Sequence, residues 1–105
     1  MKRHVERSQR AVDDLLDHYE YIYRDNPAAA ERLLDAAEEV FLRLGDVPGA
    51  GRAWNSSDQR NLAGVRVILL PKPFNNYLVF YRRVWRGITI LAVLHAAQDL
   101  PSLFG

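Results

Sequence analysis

The chain has 105 residues, enough for one compact domain and too few for two. Its 49% hydrophobic and 26% charged residues exclude the low-hydrophobicity signature of a disordered chain. There is no cysteine for a disulfide or thiolate site, and the three histidines, His4, His18 and His95, show no ligand spacing, so no metal or other cofactor is expected.

No apolar run approaches the roughly 18 residues that cross a bilayer, and the opening Met1-Lys2-Arg3-His4-Val5-Glu6 lacks the apolar stretch of a secretory signal. The cytoplasm is the expected address, with no membrane partner. The net charge of +1 conceals an asymmetry. Residues 1–46 carry seven Lys or Arg against eleven Asp or Glu, whereas residues 47–105 carry seven against two. A basic C-terminal half favours an anionic partner, nucleic acid or an acidic protein segment; the alternative is an ordinary solvated strand surface.

From Ser8, a plausible N-cap, Val12, Leu15, Leu16, Tyr19, Ile22 and Tyr23 recur at helical spacing and predict a helix that stops near Asp25. Asn26-Pro27 then supplies a cap and a proline suited to the first helical position. The second stripe, Ala30, Leu33, Leu34, Ala37, Val40, Phe41 and Leu44, runs to Gly45, where the helix is expected to end. So short a link implies an antiparallel helix hairpin.

Residues 46–63 contain Pro48, Gly49, Gly51 and a polar run without periodicity, and read as a long connecting loop. Three β-rich stretches follow, Val65 to Leu70, Tyr77 to Val84 and Ile88 to Leu94, the last two joined by Trp85-Arg86-Gly87 as a tight hairpin. Lys2 to Glu6 could add an edge strand. The expected fold is one α+β domain, an N-terminal antiparallel helix hairpin packed on a small, three- to four-stranded, mainly antiparallel sheet.

Strict alternation places Tyr77, Val79, Tyr81 and Arg83 on one face of their strand and Leu78, Phe80, Arg82 and Val84 on the other. In the last strand it places Ile88, Ile90, Ala92 and Leu94 opposite Thr89, Leu91, Val93 and His95. Arg66, Lys72, Arg82 or Arg83, and His95 could converge at one end of the sheet as a phosphate or carboxylate site, or they could simply reach solvent and local acids. His95 is suited to acid–base work and Tyr81 to positioning a substrate; both could equally be structural. His4 and His18 are expected to face solvent. Trp54 and Trp85 are expected to cap apolar surface, although an exposed Trp54 could anchor a partner. No nucleophile elbow, glycine-rich phosphate loop, paired carboxylates or HExxH motif occurs, and no small-molecule substrate is expected.

Three segments, Asn26-Pro27-Ala28-Ala29-Ala30-Glu31-Arg32-Leu33-Leu34, Tyr77-Leu78-Val79-Phe80-Tyr81-Arg82, and Ile90 through Leu100, resemble in order and spacing the ParE/RelE toxin superfamily, the plasmid-stabilisation proteins. The resemblance implies a toxin of a type II toxin–antitoxin system with a cognate antitoxin as partner, operator DNA being reached only through that antitoxin. It also implies one of two targets. RelE-like members cleave messenger RNA on the ribosome, for which Arg66, Lys72, Arg82 and His95 would be the catalytic set. ParE-like members inhibit DNA gyrase and are not known to cleave a substrate themselves. Leu78 stands where many of the nucleases have arginine and no tyrosine follows His95, which favours the ParE-like branch; Gln98-Asp99 departs from the arginine that commonly precedes its final aspartate. On this reading antitoxin contacts fall on Leu16, Tyr19, Tyr23, Leu34, Phe41, Tyr81 and Arg83, and target contacts on Arg66, Arg82, His95, Gln98 and Asp99.

Overall fold

A computed structural model describes residues 4–54 and 64–98. Strand β1 (His4–Arg7) leads into helices α1 (Gln9–Tyr23) and α2 (Pro27–Asp46), followed by β2 (Arg52–Ala53), β3 (Val65–Leu69), β4 (Tyr77–Val84) and β5 (Gly87–His95). The helix starts follow from local chemistry. The Ser8 hydroxyl accepts the Ala11 N–H at 3.0 Å and the Asn26 side chain accepts the Ala29 N–H at 3.0 Å, each satisfying a donor that the first helical turn leaves over. Pro27 occupies the first turn of α2, where its missing N–H costs nothing. Gly45 does not stop α2, which runs one residue further, and the glycine is buried.

Among the described residues the sheet has five strands in the order β1-β5-β4-β3-β2. Two features depart from the sequence-based expectation. Strand β1 lies parallel to β5, with His4 level with Gly87 and Arg7 level with Ile90, so the sheet is mixed. Within the stretch expected as loop, β2 pairs antiparallel with β3. The approach of β1 fixes Gly87: a Cβ there would run into the His4 carbonyl oxygen.

The helices cover one face. Leu33, Ala37, Phe41 and Leu44 of α2 and Ala11 and Leu15 of α1 pack with Val79, Tyr81, Ile88, Ile90 and Val93. Val65, Val67, Phe80, Ala92 and Leu94 form a second cluster on the back face, against which Trp54 packs, its ring edge-on to Phe80 at 5.2 Å. The strict alternation expected in β5 fails at one residue. Phe80 pairs with Ala92 but Tyr81 pairs with Ile90, so Leu91 is an extra residue in a bulge. Ile88 and Ile90 face the helices before it; after it Val93 does, and Ala92 and Leu94 turn to the back face.

Among the described residues no helix is long and apolar enough to cross a membrane.

Candidate functional site

The apolar stripe of α1 is wider than the surface that covers it. Leu15 is buried, but Val12, Leu16 and Tyr23 stay substantially exposed, Leu16 retaining 50% of its accessible surface. These side chains leave an open apolar groove of about 260 Å³ between the two helices, lined by Val12, Leu15, Leu16, Tyr19, Leu34 and Phe41 with Ala11 in its floor and Arg7 and Glu38 at its rim. The rim is ordered by charge. Arg7 forms an ion pair with Glu38 and places its guanidinium carbon 4.8 Å from the centre of the Phe41 ring. The Tyr19 hydroxyl donates to Glu31 at 2.9 Å, tying α1 to α2, and this carboxylate holds the Tyr19 phenol above its ordinary pKa. Tyr23 stacks beside Tyr19 with ring centres 5.6 Å apart and so extends the apolar surface along α1.

Five residues expected to meet an antitoxin, Leu16, Tyr19, Tyr23, Leu34 and Phe41, are thus brought together. The other two are not. Tyr81 has no exposed surface; its hydroxyl donates to the Pro48 carbonyl and accepts the Gly51 N–H, both at 2.8 Å, so it locks the loop after α2 instead of offering a contact. Arg83 is exposed near the β4–β5 turn and does not line the groove.

The expected convergence of cations does not occur. The start of β3 meets the end of β4, with Val65 opposite Arg82 and Arg66 opposite Tyr81, whereas His95 sits at the far end of β4, opposite Tyr77. Arg82 lies five positions along the strand from Tyr77, about 16 Å at roughly 3.3 Å per residue. Lys72 lies in the β3–β4 connection, also at the His95 end. Arg66 and Arg82 further point to opposite faces, because Arg66 shares the helix face with Tyr81 and Arg82 the back face with Val65. The Arg66 guanidinium is engaged by the Gly51 carbonyl at 2.7 Å. General acid–base catalysis needs its groups within about 3 Å of the transferred proton, and this arrangement supplies no such set from Arg66, Lys72, Arg82 and His95.

At the other end, His95 and Gln98 form a tight local turn. The Gln98 side-chain oxygen accepts the His95 N–H at 2.7 Å, and the His95 Nδ1 accepts the Ala97 N–H at 3.0 Å. Asp99 lies outside the described residues. Of the target contacts expected from sequence, His95 and Gln98 are therefore neighbours, and Arg66 and Arg82 belong to a different end of the sheet. His18, expected in solvent, is partly buried: its Nε2 lies 2.7 Å from the Val93 carbonyl and its ring meets Tyr77 edge-on at 5.0 Å. Among the described residues no three His, Asp or Glu side chains cluster to hold a metal ion.

Residues 5–100 match the family described as the ParE toxin of the type II toxin–antitoxin system parDE. The chain belongs to the ParE toxin family. Among curated relatives, the candidate toxin Y4kP of Sinorhizobium fredii is 28% identical over 102 residues, covering 97% of each chain. Among solved structures, a chain of the chromosomal ParDE toxin–antitoxin system from P. aeruginosa superposes with a TM-score of 0.73 at 21% identity, covering 90% of this chain and 96% of that one. The ParE fold is therefore present from β1 through β5, and the groove and the separated cations are features of a ParE-family toxin. Family membership implies a cognate antitoxin as partner.

Proposed function

We propose that this ParE-family toxin arrests growth by binding DNA gyrase, without cleaving a substrate of its own, and that its antitoxin silences it by laying an amphipathic segment into the groove between α1 and α2. The family match supports the toxin role on which the first part rests. The half-exposed Leu16 above an apolar cleft supports the second, because such a surface loses stability in water and gains it when covered. A helix with apolar residues at three- and four-residue spacing is the simplest occupant. On this reading the toxin meets operator DNA through the antitoxin, which bears the DNA-binding part. The ribonuclease alternative is weakened by the distance between Arg82 and His95.

The test uses purified toxin, gyrase, relaxed plasmid and ATP. Supercoiling should fall and cleaved DNA should accumulate on the enzyme, and equimolar antitoxin should reverse both effects. Normal supercoiling, together with cuts in translated messages that disappear in His95→Ala, would replace this reading with the nuclease one.

A further inference from the structure

The β4–β5 hairpin turns in two residues, Trp85 and Arg86, between the paired Val84 and Gly87. Trp85 retains 85% of its accessible surface, more than any other large apolar side chain among the described residues. It stands among cations, since three of residues 82–86 are arginine. Arg83 and Arg86 are both exposed, and neither forms an ion pair with a described residue. The Arg86 guanidinium carbon lies 5.7 Å from the centre of the Trp85 ring. Arg86 itself adopts φ 67°, left-handed backbone in which an arginine is strained and a glycine would not be. Across β1, β3, β4 and β5 the only acid is Glu6, level with Thr89.

Stability explains neither choice at this turn. An indole left in water forgoes its hydrophobic gain, and a left-handed arginine adds strain that glycine would remove. Together they present an exposed indole with the Arg86 guanidinium against it and the exposed Arg83 two residues before it on β4. We propose that this tip is a contact for an unpaired nucleic-acid strand, with Trp85 stacking on a base and Arg83 and Arg86 meeting the neighbouring phosphates.

Size decides against a self-sufficient protein-docking site. A stable protein–protein interface takes about 800 Å² from each partner, supplied by some 20–30 residues, whereas the tip offers only the four exposed residues 83–86. One base and its flanking phosphates match that scale. A duplex keeps its base faces stacked inside, so an unpaired strand is the form a protruding indole can reach. The assignment does not depend on which macromolecule the toxin inhibits.

The experiment measures fluorescence anisotropy of an end-labelled 12-nucleotide DNA strand, and of its duplex, with the full chain at 50 and 200 mM salt. The single strand should bind more tightly than the duplex, and Trp85→Ala should weaken it roughly tenfold. Trp85→Phe should restore part of the loss. Arg83→Ser with Arg86→Gly, which keeps the backbone of the turn, should flatten the salt dependence by a log–log slope of about 1.4, at roughly 0.7 per phosphate contact. Circular dichroism confirms that each variant is folded, as expected for side chains so exposed. Equal affinity of wild type and Trp85→Ala, preference for the duplex, or no oligonucleotide binding would overturn the proposal. So would binding of polyglutamate that Trp85→Ala abolishes, which would make the tip a protein contact. Gyrase inhibition and antitoxin binding, measured on the same variants, report on the toxin reading separately.

Discussion

The carboxylate of Asp14 accepts the N–H of Val93 at 3.0 Å, a bond from the first helix to a strand 79 residues away in sequence. It matters because β1 accompanies β5 only as far as Ile90. Beyond that point the outer edge of β5 would expose its backbone groups, and α1 takes over the role of the missing strand. Ser8 donates to the Leu91 carbonyl, Asp14 accepts from the Val93 N–H, and the His18 ring meets the Val93 carbonyl. Asp14 and His18 are one helical turn apart, so a single face of α1 serves both groups of Val93.

Removal of this carboxylate should therefore cost more than an exposed acid normally would. Asp14→Ala leaves the partly buried Val93 N–H without its partner and should destabilise the fold by about 1–2 kcal/mol. Urea unfolding measures the loss, and native-state hydrogen exchange should show the Val93 amide opening faster than that of Ile88. An unchanged exchange rate at Val93 would mean that the edge is protected in another way.

Tyr81 anchors the loop after α2 through its hydroxyl, which gives one hydrogen bond to Pro48 and receives one from Gly51, beside the Arg66 guanidinium on the Gly51 carbonyl. Gly51 cannot be replaced cheaply, because a Cβ there would lie 2.6 Å from the Tyr81 oxygen and 2.8 Å from the Val67 carbonyl. Tyr81→Phe keeps the ring but leaves a buried N–H and C=O unpaired, and should cost about 1–3 kcal/mol. Thermal unfolding gives the total. Trypsin cleavage after Arg52, read by mass spectrometry, tests the location: it should accelerate in Tyr81→Phe, and no acceleration would show that the loop is held elsewhere.

How much of this was legible in the sequence depends on the range of the interaction concerned. Ser8 and Asn26-Pro27 announce the helices because a cap acts within three residues, and β4 and β5 show themselves through their β-branched and aromatic runs. The bulge at Leu91 carries no local mark, yet that one residue moves Ala92 and Val93 to faces opposite to those that alternation assigns. His18 read as solvent-facing because nothing local tells that β1 stops at Arg7 and leaves an edge for it to cap. Tyr81 lay on an apolar alternating face that could be either open or covered, and only the position of the helices decides. The parallel β1 and the two-residue β2 depend wholly on distant partners. The separation of Arg66 and Arg82 from Lys72 and His95, in contrast, follows from antiparallel order alone, since the start of one strand must meet the end of the next.

Tyr77 makes stability depend on alkaline pH. Its half-buried ring lies edge-on to both His18 and His95, at 5.0 Å from each, and desolvation raises its phenol above the ordinary value near 10. The unfolded phenol ionises first. Above that pH the native state retains a proton the unfolded state has lost, so stability that is whole below the unfolded pKa declines as pH rises through the folded one. Chemical denaturation between pH 8 and 11 should show a decline that is smaller in Tyr77→Phe. Tyr19, raised by its hydrogen bond to Glu31, contributes with the same sign, so Tyr19→Phe serves as the parallel control. Identical pH profiles for wild type and Tyr77→Phe would remove Tyr77 from this account.

The groove offers the sharpest test of antitoxin docking, because Leu15 and Leu16 are adjacent in sequence and opposite in role. Leu15 is 7% exposed and belongs to the core, so Leu15→Ala should cost about 2–5 kcal/mol in stability and impair everything downstream of folding. Leu16 is half exposed, and Leu16→Glu should leave the thermal midpoint nearly unchanged. The same substitution puts a carboxylate into an apolar cleft that already has Glu38 at its rim. An apolar anchor entering that cleft would have to desolvate the new charge, so affinity for the antitoxin should fall by at least about 30-fold, the scale of an interface hot spot near 2 kcal/mol. Calorimetric titration of the folded variant separates the two effects. If Leu16→Glu binds antitoxin as tightly as the wild type does, the antitoxin covers some other surface and the groove has lost its assigned occupant.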